Sequence, residues 1–199
     1  DDWASRGAHK LLGALEAFPE LEARIRGARC LDVGASTGGF TDVLLRTGAE
    51  AVVALDVGYG QLHHRLSSDP RVTVLDRINV RNLEPGILPW QPEVLTCDVS
   101  FIGLSRVLPV LHREMLDGGV GILLVKPQFE VGPEKVGRGG VVRDEAVRRE
   151  ALDMAISAAR NVGFQIQGHA ESPLAGPKGN REWLLVVKKD TPQTAPGSV

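Results

Sequence analysis

The chain has 199 residues, the size of one ordinary domain, of which 43% are hydrophobic and 24% charged. That balance excludes a disordered or fibrous chain, no apolar run approaches the roughly 20 residues of a membrane span, and no basic-then-apolar leader opens the sequence. Two cysteines, Cys30 and Cys97, are too few for a disulfide framework or a zinc site, and a net charge of −2 argues mildly against a freestanding basic nucleic-acid binder. The expectation is a cytoplasmic, monomeric protein. Because the first residue is Asp1 rather than methionine, a further segment upstream is also expected.

In chain order, residues 5–19 place Leu11, Leu12, Leu15 and Phe18 at helical spacing, with Ser5 as N-cap and Pro19 as terminator. Residues 28–34 (ARCLDVG) predict a buried strand, and 38–49 a helix closed by Gly48. Strand 51–58, helix 60–69 and strand 71–76 continue the alternation. Residues 93–99 predict a fourth strand, followed by a helix to about Leu116, and residues 118–126 a fifth and most apolar strand. A glycine-rich stretch at 131–140 precedes a long helix from about Asp144 to Val162. Residues 163–172 and 182–189 close the fold as two strands, and the last residues, TPQTAPGSV, are expected to be disordered. Repeated strand–helix alternation predicts an α/β fold, a doubly wound parallel sheet covered on both faces. The final two strands have no helix between them, which predicts an antiparallel hairpin.

In such sheets ligands bind beyond the carboxyl ends of the strands, where the strand order reverses. The first strand runs into DVGASTGGFTD, residues 32–42, in which Gly34, Gly38 and Gly39 permit tight turns and close approach of a ligand. Ala35, Ser36 and Phe40 belong to the same loop. Asp56, followed by Val57, ends the second strand 22 positions after Gly34, a spacing suited to an acid that bonds ribose hydroxyls. A dinucleotide fingerprint requires glycine where Ser36 stands, and no phosphate loop is present. A nucleoside cofactor without phosphates fits better, and S-adenosylmethionine is the candidate. Asp76 and Arg77 are placed near its adenine, and Asp98, at the end of the fourth strand, faces the same crevice.

Lys126 ends the most apolar strand, where a charge is costly unless paired. If the fourth and fifth strands are neighbours, Asp98 lies beside it. Lys10 and Glu182, taken singly, read equally well as solvated charges, and spacing alone does not bring the four together. His63 and His64 lack companion ligands, so no metal site is expected. Trp3, Trp90 and Trp183 read as packing residues.

The blocks SRGAHKL, LDVGASTGGFTD, DVGYGQL, DPRV, DVSFIGL, VKPQFEVG and GPKGNREWLLV occur in order between about residue 3 and residue 189. Together they resemble the TlyA family, known both as hemolysins and as rRNA 2′-O-methyltransferases, whose catalytic domain is similar to the FtsJ/RrmJ ribose methyltransferases. The resemblance implies a Rossmann-like class I methyltransferase with a mostly parallel seven-stranded sheet. It also implies a Lys–Asp–Lys–Glu tetrad falling on Lys10, Asp98, Lys126 and Glu182. Methyl transfer from S-adenosylmethionine to a ribose 2′-oxygen, leaving S-adenosylhomocysteine, would then use Lys126 as base or proton acceptor, supported by the other three. The implied substrate is rRNA in ribosomal subunits, with cytidine of 16S or 23S rRNA as target.

Members of that family carry an N-terminal S4-like RNA-binding domain. Residues 1–4 are accordingly expected to be a linker remnant, 5–189 the catalytic domain and 190–199 a tail. Asp76 departs from the family, which often has glutamate there. Arg6, with Lys135, Arg138 and Arg143 of the glycine-rich loop, is the expected RNA contact set, the alternative for the loop being an ordinary mobile surface segment. Two other readings compete: a methyltransferase acting on a small molecule, and a membrane-lytic hemolysin, for which no long amphipathic basic helix is apparent.

Overall fold

A computed structural model describes residues 2–192; of the expected tail, residues 193–199 lie outside the described part. Seven strands form one sheet: β1 (Arg29–Val33), β2 (Ala51–Leu55), β3 (Val72–Leu75), β4 (Val94–Cys97), β5 (Val120–Val125), β6 (Phe164–Glu171) and β7 (Trp183–Lys189). Their order is β3-β2-β1-β4-β5-β7-β6. The β1–β5 pairings are parallel, and β7 inserts antiparallel to both β5 and β6. The expected hairpin is therefore present, with its second strand completing the central sheet and its first forming the edge.

Alternate residues of each strand point to opposite faces, and both faces are apolar. Leu31, Val33, Leu95, Cys97, Leu123 and Val125 pack with helices α5 (Leu108–Glu114) and α7 (Glu145–Val162) on one side. Cys30, Val52, Val94, Ile122 and Leu124 pack with α1 (Ala8–Ala17), α2 (Glu20–Ile25) and α3 (Gly39–Thr47) on the other. Burial on both faces is the reason these strands read as continuous apolar runs.

Several local expectations are corrected. Ser5 does not cap α1; Gly7 holds that position without a side-chain bond, and Ser5 contributes its carbonyl to the Ala8 N–H. Pro19 does end α1, but it also starts α2, a position where its missing N–H is no loss. The expected helix over 60–69 contracts to α4 (His64–Ser67), with the His63 ring nitrogen capping the Arg65 N–H. No α-helix joins β3 to β4, only a 3-10 turn at Val80–Asn82. The helix expected to reach Leu116 divides into a 3-10 turn, Leu104–Arg106, and α5, with a proline in the first turn of α5. A short helix, α6 (Pro127–Glu130), follows Lys126 directly.

The strand order reverses between β1 and β4, which places the crevice beyond Val33 and Cys97. There the Asp98 N–H bonds the Val33 carbonyl at 2.9 Å, tying the two strand exits together.

Candidate active site

Four ionisable side chains from four elements converge beyond the strand ends. Lys10 projects from α1, Asp98 follows β4, Lys126 follows β5 and Glu182 precedes β7. The pairing of β4 with β5 puts Lys126 Nζ 2.5 Å from Asp98 Oδ1, and the same ammonium donates to Ser100 Oγ at 3.2 Å. Lys10 Nζ donates to Glu182 Oε1 at 2.6 Å. Relative exposures of 6% for Lys10, 8% for Lys126 and 1% for Glu182 show that these are not solvated charges. Burial holds the Glu182 carboxyl above the usual range, opposed by the charges of Lys10 and Lys126 and reinforced by that of Asp98. The charges of the Lys126–Asp98 pair are thus felt at the Glu182 carboxyl. Glu182 Oε2 is buried without a hydrogen-bond partner.

Next to this cluster lies a cavity of about 620 Å³, whose lining includes Gly34, Ser36, Asp56, Val57, Ile78 and Asp98. Its volume falls in the range of small-ligand sites. Gly34 adopts φ +78°, and a Cβ there would lie 2.1 Å from the Asp98 carbonyl oxygen, so the crossing of the two strand exits admits only glycine. Asp56 accepts the Ser36 N–H at 2.7 Å and the Gly58 N–H at 2.8 Å, one on each carboxylate oxygen. Each oxygen retains further acceptor capacity, and Asp56 lines the cavity. Apolar Val57, Ile78 and Val99 with acidic Asp56 and Asp98 suit a flat heterocycle, a ribose and a cation.

Not every residue of the glycine loop touches the cavity. Ala35 and Phe40 are core residues. A Cβ on Gly39 would meet Ser5 Oγ at 2.5 Å and the Ala8 nitrogen at 2.7 Å, and one on Gly38 would meet Leu66 at 2.3 Å. These two glycines bring α3 close to α1 and α4. Asp76 accepts the Gly60 N–H at 3.0 Å, and Arg77, at φ +59°, stacks on Tyr59 at 4.1 Å. Both brace the 58–61 loop from outside the cavity lining, where Ile78, Asn79 and Arg81 stand instead.

The remaining candidates are dispersed. Arg6, Lys135, Arg138 and Arg143 are exposed; Lys135 pairs with Glu150 at 2.6 Å, and Arg143 donates to the Arg138 carbonyl at 3.0 Å. Trp3 packs against the α1–α3 side beneath Arg46, whose guanidinium lies 4.2 Å from its ring.

Several residues escaped sequence reasoning. Asp32, the penultimate residue of β1, is wholly buried and accepts the hydroxyls of Thr41 and Thr96 at 2.8 and 3.0 Å. Burial pushes its carboxyl up to about 7 despite those bonds. Glu130 of α6, also pushed to about 7 by burial, accepts the Leu104 N–H at 2.9 Å and holds the loop that carries Ser100 and Phe101. Phe101 is 88% exposed at φ +66° and tilts against Phe129 at 5.3 Å between ring centroids. Arg148, buried in α7, pairs with Glu145 and Glu171 and donates to the Arg181 carbonyl, bracing the residue before Glu182. An acid inside an apolar strand and an arginine on an inward helix position were the available signals.

Sheet order, glycine loop and strand-end acids together define an S-adenosylmethionine-dependent methyltransferase fold. A solved structure from Listeria monocytogenes, described as an S-adenosylmethionine-dependent methyltransferase, superimposes with a TM-score of 0.66 at 15% identity, covering 92% of this chain and 100% of that one. The chain belongs to the FtsJ-like methyltransferase family, whose pattern it matches over residues 3–189. It is 49% identical over 189 residues to the 16S/23S rRNA (cytidine-2′-O)-methyltransferase TlyA of Mycobacterium tuberculosis, covering 95% of this chain and 69% of that protein. A solved structure from Streptococcus thermophilus, described as a hemolysin, superimposes with a TM-score of 0.91 at 40% identity, covering 96% of this chain and 68% of that one.

Proposed function

We propose that this chain transfers a methyl group from S-adenosylmethionine to a ribose 2′-oxygen of rRNA, with cytidine as the target nucleoside. The observation that carries the reading is the two ion pairs, the buried Lys10–Glu182 and the partly exposed Lys126–Asp98, the second of which meets the acid- and glycine-lined cavity through Asp98. Gly34, Ser36, Asp56, Val57 and Asp98 would hold the cofactor, Asp56 taking ribose hydroxyls and Asp98 facing the sulfonium. When bound, S-adenosylmethionine supplies an electrophilic methyl whose leaving group is a neutral thioether.

The chain's own residues must align the 2′-oxygen behind that methyl and remove its proton as the new C–O bond forms. In this reading both tasks fall to Lys126: Asp98 and Ser100 fix its side-chain nitrogen, which, when unprotonated, takes the 2′-hydroxyl proton. Lys10, fixed by Glu182, adds a second cation that stabilises a developing alkoxide. A ribose in folded rRNA reaches a site this recessed only when its nucleotide is extruded, and in this reading the exposed Arg138 and Arg143, with Lys135, supply cations for the flanking phosphates. Among the described residues no helix is long and apolar enough to cross a membrane.

Calorimetric titration with S-adenosylmethionine, S-adenosylhomocysteine and NADH tests the cofactor, and transfer of labelled methyl to ribosomal subunits tests the acceptor. Saturable binding of the first two alone, with label recovered at a 2′-oxygen, is the expected result. Binding of NADH instead, or label on a base or on a small molecule only, would overturn the reading.

A further inference from the structure

Asn180 lies two residues before Glu182 and is 2% exposed. Its side chain and its main chain face different partners. The amide nitrogen Nδ2 donates to the Gly140 carbonyl at 2.9 Å, and Oδ1 accepts the Val142 N–H at 2.9 Å. Both partners belong to the basic segment that follows α6, which is also held internally by bonds from the Gly137 N–H to the Val141 carbonyl and from Arg143 to the Arg138 carbonyl, and against α7 by the Lys135–Glu150 pair and the packing of Val136 and Val142 with Val147 and Ala151. The Asn180 carbonyl meanwhile accepts the Gly176 N–H at 2.8 Å. Gly176 is the backbone beside the unpartnered oxygen of Glu182: a Cβ added there would stand 3.0 Å from Oε2.

A primary amide satisfies this geometry uniquely among side chains of its size. It donates to a carbonyl and accepts from an N–H at once, mimicking an extra length of strand backbone. Aspartate keeps only the acceptor and sets a charge against the Gly140 carbonyl. Alanine leaves both backbone groups unpaired in a buried place, and buried backbone groups are almost always satisfied. Cation–carboxylate pairing of Lys10 with Glu182 depends in turn on where the 176–182 turn holds the glutamate.

From this juxtaposition we infer that Asn180 is a positioning residue that couples the basic loop to the Lys10–Glu182 pair, so that the loop's hold on RNA and the alignment of the tetrad are set together. The inference rests on the ribose-methylation reading for its kinetic consequence but not for its mechanical one. The cofactor cavity shares none of these residues, so cofactor affinity is outside the coupling.

The test compares the wild-type chain with Asn180→Ala and Asn180→Asp, the latter keeping the Val142 bond where the former does not fold. S-adenosylmethionine affinity should stay within about twofold, while the KM for ribosomal subunits rises and kcat falls by on the order of tenfold or more, the scale of a small misplacement in a reacting geometry. Hydrogen exchange should accelerate together in residues 137–143 and 174–182. A rise in KM with kcat unchanged, or exchange that accelerates in 137–143 alone, overturns the coupling, as does parallel loss of cofactor binding and thermal stability. If the wild-type chain methylates no rRNA yet both segments still loosen together, the methylation reading falls and the coupling stands.

Discussion

Lys10 and Glu182 are 172 positions apart in the chain and meet across 2.6 Å, both nearly excluded from solvent, with the second Glu182 oxygen unpartnered. A buried ion pair that leaves one oxygen unbonded is poorly compensated for its desolvation, so stability alone does not account for it. The fold brings α1 against the start of β7 to make this pair, whose carboxyl also feels the charges of Lys126 and Asp98.

Removal of one partner should therefore be costly and removal of both should not. Glu182→Leu or Lys10→Met alone is expected to lower unfolding free energy by about 3–5 kcal/mol, the range for a stranded buried charge, and the double variant to recover most of it. Urea unfolding measures this, and all three proteins should be devoid of methyl transfer. A double variant as unstable as the sum of the singles would show that the pair is a structural necessity.

Lys126→Ala should abolish transfer while cofactor binding by calorimetry is retained. Lys126→Arg is the sharper variant, since guanidinium can still pair with Asp98 but does not give up its proton in proteins. Turnover near the wild-type rate in Lys126→Arg would assign the residue a purely electrostatic role and remove the proton-acceptor step.

Gly34→Ala forces a Cβ to within 2.1 Å of the Asp98 carbonyl oxygen at a φ of +78°. Gly27 is the matched control, with φ +76° and nothing within 4 Å of an added Cβ. Gly27→Ala should cost only backbone strain, about 1–3 kcal/mol. Gly34→Ala should cost more than this and should also weaken S-adenosylmethionine binding by at least about tenfold, because it moves the β4 exit that carries Asp98. Equal effects of the two substitutions on cofactor affinity would sink the explanation.

What the sequence makes legible follows from local physics. The central strands β1, β2, β4 and β5 announce themselves because both their faces are buried, and the hairpin because no crossover fits between residues 172 and 182. Lys126 is conspicuous as a charge at the end of VGILLV. Lys10 is not, since SRGAHKL reads as an ordinary amphipathic helix until α1 packs against α3 and turns that lysine inward. Gly38 and Gly39 read as ligand-approach glycines, whereas the neighbours that demand them are Leu66, Ser5 and Ala8, distant in sequence or in a different element. Asn180 is invisible for the same reason: its partners, Gly140 and Val142, are backbone atoms 40 and 38 residues away, and backbone partners leave no mark in residue types.

Asp32 yields a prediction in pH. Burial raises its carboxyl to about 7 from an ordinary 3.8; the Thr41 and Thr96 hydroxyls only partly offset this, and the negative charge of Asp98 adds to it. Glu130 shifts in the same sense, from 4.5 to about 7, again through burial and against the Leu104 N–H. For an acid whose folded pKa exceeds its unfolded one, the folded state binds more protons between the two values, so stability falls as pH rises through that window. Their expected contribution is a melting temperature that declines from about pH 4 to pH 7 and no further above it. Asp32→Asn, which can still bond both threonines, should remove part of that slope, and adding Glu130→Gln should remove more. The comparison is made on the difference between wild-type and variant melting curves, so that titration of other groups cancels. A difference that does not change between pH 4 and pH 7 would mean that Asp32 stays ionised in the folded chain, with its two hydroxyl partners alone sufficient to hold the charge.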